Sequence, residues 1–245
     1  PRILLLAYAG LFGLQAATTL LRALEWSDPL RFAYVEATRH PDSPRANYEL
    51  GLMLSVVSQG PTDPRHGLAL ATLRAAARLS EQNVLPLTAL VFIASRHEKS
   101  VDPALWRELE QAVAKPALAA AEENALFSLV DCVARKVCAV EDPAPLMRVM
   151  ETALRRHPRR AGLYAIAARL RLEAQGDVGG AERLLQRAVA IAPGDAQLWI
   201  SLARVQALAG ELDRARLSLA RSSEFDRLGR FARERRALLE AWSRS

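Results

Sequence analysis

The chain has 245 residues, of which 51% are hydrophobic, 24% charged and only 6% aromatic. That composition excludes a disordered or collagen-like polymer, and Ala and Leu in place of aromatics favour helices. The 33 basic and 27 acidic side chains leave a formal charge of +6, enough for solubility and weak attraction to anions, and the two cysteines exclude a disulfide scaffold while permitting one bridge.

The first element is ILLLAYAGLFGLQAATTLL, residues 3–21, nineteen positions without a charge. As a helix it would extend about 28 Å, close to the thickness of a hydrocarbon layer. Arg2 stands before it and Arg22, Glu25 and Trp26 after it, where a Trp ring suits headgroup depth. We read 1–25 as a transmembrane helix, the last of a membrane domain whose earlier part precedes Pro1. An uncleaved anchor or signal peptide and a buried helix of a soluble domain are the alternatives. Residues 26–245 are then one helical domain.

DPLRFAYVEATRHP follows as a helix ended by Pro41. SPRANYELGLML places Leu50 and Gly51 in a first helix, and after a long turn LALATLRAAARLSEQ supplies its partner, with Ala69, Leu73 and Ala76 in register and Glu81 in the closing position. In the less regular middle, PLTALVFIASR and ENALFSLVDCVARKVC read as first helices. VDPALWRELEQAVA lies between them as a second helix, opened by Asp102 and Pro103. LMRVMETALRRHPRR carries Ala153 and Pro158 with the spacing of Ala188 and Pro193.

The clearest pattern lies beyond. AGLYAIAARLRLEAQGDVGGAERLLQRAVAIAPGD aligns with AQLWISLARVQALAGELDRARLSLARSSEFD, pairing Tyr164 with Trp199, Ala167 with Leu202, Ala168 with Ala203, Gly176 with Gly210 and Ala181 with Ala215. Small residues let paired helices approach, Tyr164 and Trp199 fill the gap, and Pro193 stops the helix. The order resembles the tetratricopeptide repeat. LGRFARERRALLEAW, residues 228–242, is a polar-faced capping helix. The expected fold is all-α, a right-handed solenoid of such hairpins with one contiguous core behind the N-terminal helix.

No residue set points to catalysis, a cofactor or a metal. His40, His66, His97 and His157 are scattered and expected in solvated loops, and Glu108 with Glu110 and Glu122 with Glu123 are expected on exposed helix faces. The turn GDVGG joins two helices and is no phosphate cradle. Cys132 and Cys138 would stand about 9 Å apart in an unbroken helix, so a bridge requires the helix to end between them. Both that arrangement, which implies an oxidising compartment, and a pair of buried free thiols suit the sequence. Residues 155–245 hold 18 Arg, no Lys and 10 acidic residues, a surplus concentrated near Arg227, Arg230, Arg233, Arg235 and Arg236. Without interleaved aromatics this does not suggest nucleic-acid binding.

The resemblance to tetratricopeptide repeats implies a concave groove lined by first helices. Carried onto this chain, its positions are Arg45, Tyr48 and Leu52; Gly162, Ala165 and Arg169; and Gln197, Ile200 and Arg204. It implies a protein or extended polypeptide as partner. Residues 3–83, through Trp26, Asp28, Pro41, Ser43, Ala46, Leu50 and Gly51, are also similar to the passage from a last membrane helix into such repeats in proteins resembling O-mannosyltransferases, bacterial oligosaccharyltransferases and O-antigen ligases. That resemblance implies an extracytoplasmic, periplasmic array serving a lipid-linked-sugar glycosyltransferase whose catalytic loops lie upstream. The expected function is a non-catalytic interaction scaffold tethered to a membrane. The alternatives are an acceptor- or donor-access part of such an enzyme and a soluble cytosolic scaffold.

Overall fold

A computed structural model describes residues 2–80, 83–97 and 101–243, the side chains of Glu25 and His97 excepted, so the closing position at Glu81 lies outside the described residues. The described residues form thirteen helices and no strand. They are α1 (Arg2–Trp26), α2 (Pro29–Arg39), α3 (Pro44–Val57), α4 (Pro64–Leu79), α5 (Val84–His97), α6 (Pro103–Val113), α7 (Ala120–Ala134), α8 (Ala144–Arg156), α9 (Ala161–Gln175), α10 (Val178–Ile191), α11 (Ala196–Leu208), α12 (Leu212–Phe225) and α13 (Ala232–Trp242).

Local chemistry explains most helix ends. Asp28, Ser43, Asp63 and Asp102 each accept backbone N–H bonds at the start of α2, α3, α4 and α6, and each is followed by Pro, whose missing N–H costs nothing there. Asp177 and Asp195 cap α10 and α11 in the same way. Gly176 and Gly210 close α9 and α11 with φ of 66° and 81°, a left-handed conformation that side chains with a Cβ disfavour.

The chain divides into two compact units, Pro1–Glu81 and Gln82–Ser245, so the compact boundary falls inside the stretch 26–245 and not at the end of the first helix. In the first unit α3 and α4 form a hairpin and α2 packs on α3. Its core joins Ala33 and Ala37 of α2, Leu50 and Leu54 of α3 and Ala69 of α4. Gly51 permits the close approach, since a Cβ there would lie 2.6 Å from Cγ of Leu73. Helix α1 exposes every described side chain; its span Arg2–Leu24 has a mean hydropathy of 1.7 and is long and apolar enough to cross a bilayer. The hydroxyls of Thr18 and Thr19 donate to carbonyls one turn back, so they do not demand water.

In the second unit, α5, α7 and α9 lie side by side as first helices, α6 and α8 as second helices, and α9/α10 and α11/α12 form tight hairpins. Ala168, Ala181, Leu185, Ala188, Leu198 and Leu202 share one cluster, and each buried Leu contributes about 2 kcal/mol. Ile200, Ala203 and Leu219 are covered by Phe231, Leu238 and Trp242 of the terminal segment. The capping helix begins at Ala232, not 228, because Gly229 turns left-handed and Asp226 gathers the backbone N–H groups of Arg230 and Phe231.

Several expected surface groups are instead buried. Glu122 is 4% exposed because its carboxylate accepts from the backbone N–H of Val84 and Ala119 and from Lys115 Nζ at 2.5 Å. His66 is a buried residue inside α4, not part of a turn. His157 is buried because its Nε2 lies 3.0 Å from the carbonyl of Val113, at the end of α6. Arg156 donates to the next carbonyl, Ala114, and Arg160 to Leu118. The end of α8 and the turn after it thereby satisfy the Val113 and Ala114 carbonyls at the end of α6 and the Leu118 carbonyl in the loop before α7. His40 is exposed, and only the side chain of His97 among the four is not described.

Candidate functional site

A groove of about 630 Å³ runs across α7, α9 and α11 in the second unit. Its walls carry Glu123, Asn124 and Phe127 from α7, Gly162, Ala165 and Arg169 from α9, and Gln197, Ser201, Arg204 and Leu208 from α11. Ile166, Leu172, Leu185, Leu198 and Val205 give it an apolar floor.

Helical register places these residues. Arg160 precedes α9 and Gly162 opens its first turn; a Cβ at 162 would collide with the carboxylate of Glu123, so this glycine makes room for an acidic side chain from α7. Glu123 in turn faces Arg160 at 3.8 Å. The Arg169 guanidinium lies 5.7 Å above the Phe127 ring, held there by an ion pair with Asp131, while its Nε is buried without a partner. Arg204 pairs with Glu234 of α13 at 2.7 Å. Glu123, Arg169 and Arg204 are thus paired, while Glu173 of α9 adds an exposed carboxylate to the lining. Phe127, 45% exposed, and Leu208, 64% exposed, offer apolar surface to a partner.

Among the groove positions expected from sequence, Gly162, Ala165, Arg169, Gln197 and Arg204 line this groove. Ile200 does not: it is fully buried against the terminal segment, because α13 stacks beside α11 and covers that face. Arg45, Tyr48 and Leu52 belong to α3 of the first unit and do not line it; Arg45 is exposed and the other two are half-buried. Burial, with Glu49 adding to it, pushes the Tyr48 hydroxyl above its ordinary value, so it stays protonated near neutrality. The sequence reading missed Glu123, Phe127 and Asp131, all on α7, where the repeat pattern is weakest.

Most of the repeat-signature residues are core, Pro193 and Gly210 being exposed at turns. Leu50, Gly51, Ala168, Ala181, Leu202, Ala203 and Ala215 are buried. Tyr164 and Trp199 pack against the shared cluster, and each also reaches back to a loop: Trp199 Nε1 donates to the Pro193 carbonyl at 2.8 Å and Tyr164 Oη to that of Pro158 at 3.3 Å. Asn47 makes the equivalent bond to Pro41 at 2.7 Å in the first unit. The fourth residue of α3, α9 and α11 therefore ties down the turn before its helix, a role additional to filling space.

Cys132 and Cys138 form a disulfide with a Cα separation of 5.2 Å. Helix α7 ends at Ala134 and Lys136 takes φ 56°, which folds Cys138 back onto Cys132. Among the described residues no group of three or more His, Cys, Asp or Glu is arranged to hold a metal ion.

Fold and groove together define, in the second unit, stacked helical hairpins that resemble tetratricopeptide repeats. Residues 172–233 match the tetratricopeptide repeat family. That match lies beyond residues 3–83 and lends no support to the likeness with membrane glycosyltransferases. No curated protein matches the chain. Among solved structures the chain is similar to yeast Tom70, with a TM-score of 0.57 and 16% identity over 86% of this chain, although it spans only 42% of that one. It is also similar to TTC0263, a thermophilic tetratricopeptide protein of Thermus thermophilus, with a TM-score of 0.43, 19% identity and coverage of 80% of this chain and 100% of that one. A third is YrrB, described as a tetratricopeptide protein with an unusual peptide-binding site, with a TM-score of 0.41, 12% identity and coverage of 79% and 92%. At such identities the Tom70 likeness concerns the fold alone.

Proposed function

We propose that this chain is a protein-interaction scaffold that receives a polypeptide segment in the groove across α7, α9 and α11, and that α1 tethers it to a membrane with the repeats on the extracytoplasmic side. The observation that carries the first part is the exposure of Phe127 and Leu208 on opposite walls of a groove whose arginines are already paired. Such a surface gains by burying apolar side chains of a partner and offers no chemistry of its own. A photo-crosslinking amino acid at Ser201, in the full chain in cells, should give a discrete protein adduct that disappears when Phe127→Asp and Leu208→Asp are introduced. The same probe at exposed Leu217 of α12 should give none. Equal adducts from both positions would reject the groove.

The tether rests on α1, which spans about 34 Å over Arg2–Leu24 and buries none of its apolar surface. The compartment rests on the Cys132–Cys138 bridge, since such bonds persist outside reducing cytosol. Thiol labelling in intact cells should modify neither cysteine until a reductant is added. Complete labelling beforehand would favour a cytosolic scaffold. Service to a lipid-linked-sugar glycosyltransferase is the reading that the junction at residues 3–83 supports; an upstream reading frame without further membrane spans would remove it.

A further inference from the structure

A second groove, of about 370 Å³, lies between α12 and α13. Leu219, Ala220, Ala232 and Leu239 form its apolar floor and Arg216, Arg235 and Arg236 its rim, with no acidic residue in the lining. Arg235 is held by buried Asp226 at 2.7 Å. Arg216 reaches only Asp213, 3.6 Å away and 97% exposed, and Arg236 has no ion-pair partner among the described residues.

The preceding groove of the same kind, between α10 and α11, shows what such a space accommodates. There α12 packs on α11 and reaches α10 through its side chains: Arg214 meets Glu182 of α10 at 2.6 Å while Ser218 bonds Gln206 of α11 at 2.7 Å. Ala181 and Leu185 of α10 correspond to Ala215 and Leu219 of α12, all four buried. In that register Glu182 corresponds to Arg216. The apolar floor is therefore repeated while the charge that greets the incoming helix is reversed.

We propose that the α12/α13 groove is a docking slot for an amphipathic helix of a partner protein that presents an acidic residue to Arg216. Its apolar stripe covers Leu219, Ala232 and Leu239, and Arg236 engages a second carboxylate or the exposed acidic flank of the same helix. Charge complementarity selects the partner: a basic helix like α12 itself would place like charges together, which disfavours binding by the same Coulomb energy that favours an acidic one.

The test uses the full chain in detergent micelles and two fluorescein-labelled peptides spanning residues 212–225, one unaltered and one with Arg214→Glu. Fluorescence anisotropy at low salt should show the Arg214→Glu peptide binding about tenfold or more tightly than the unaltered one, and Arg216→Glu in the protein should invert that order. Arg216 is half exposed, so its substitution leaves the helices intact, which circular dichroism checks. Equal affinities, an order unmoved by Arg216→Glu, or equally tight binding of a scrambled peptide of the same composition would each overturn the proposal, the last by reducing it to unspecific attraction between acids and arginines. Concentration-dependent self-association in sedimentation, abolished by Arg216→Glu, would overturn it by assigning the slot to a second copy of the chain.

Discussion

Adding one methyl group at two glycines of the α3/α4 hairpin should have opposite effects. At Gly51 a Cβ would lie 2.6 Å and 2.8 Å from Cγ and Cδ2 of Leu73 and 3.3 Å from the Ala69 carbonyl oxygen. Leu73 is fully buried and cannot swing aside. Overpacking of this kind costs about 1–3 kcal/mol, and these contacts place it toward the upper end. The helix gains about 1 kcal/mol when Ala replaces an interior Gly. Gly51→Ala should therefore destabilise the hairpin by about 1–2 kcal/mol, a factor of about 5–30 in local opening. Gly67, on the exposed side of α4 with open space around it, experiences only the propensity gain, and Gly67→Ala should stabilise by about 1 kcal/mol. Hydrogen exchange of the α3 and α4 amides, read by mass spectrometry, measures both effects locally, which suits a chain of two compact units better than a global melt. Faster exchange at Gly51→Ala and slower at Gly67→Ala is expected. Slower exchange in both variants would refute the packing of α3 against α4 described above.

Two further outcomes follow from buried and capping carboxylates. Glu122→Ala should cost about 3–5 kcal/mol, because it strips a mostly buried ammonium at Lys115 of its carboxylate and leaves two backbone donors unsatisfied; Glu122→Gln should cost less, and urea unfolding followed by exchange in α5 and α7 ranks the two. Asp177 accepts from Gly180 N–H at 2.7 Å and from Arg171 at 3.1 Å, which together hold its carboxyl below the ordinary value of 3.8. A depressed folded value means stability that is present above 3.8 and lost as pH falls through the folded value. Asp177→Asn, which can still cap α10 but carries no charge, should thus weaken exchange protection of α10 at neutral pH, and the difference from the natural protein should shrink on acidification below that value. A gap that widens in acid would contradict the assignment.

Much of this architecture is legible in short windows. From Arg160 onward, alternation of large and small residues, Gly at the turns and Pro after the second helix mark α9–α12 without ambiguity, because helix starts, stops and apolar faces depend on neighbours three or four positions away. The same holds for the Asp-Pro and Ser-Pro starts of α2, α3, α4 and α6. Part of the groove was legible too, since Gly162, Ala165, Arg169, Gln197 and Arg204 follow from that register.

Burial of polar groups was not legible in this way. Glu122 and Glu123 are adjacent acids with similar local surroundings, yet one is sealed under Val84, a residue 38 positions away, and the other faces the groove. His157 and Arg156 look like a solvated basic stretch until the end of α6, more than 40 residues earlier, supplies carbonyls for them to meet. Ile200 carries the repeat position of a groove residue and is core only because α13 returns to lie beside it. Periodicity assigns a face to each side chain, and it was the long-range packing that decided whether a polypeptide partner, a neighbouring helix or water lies opposite that face.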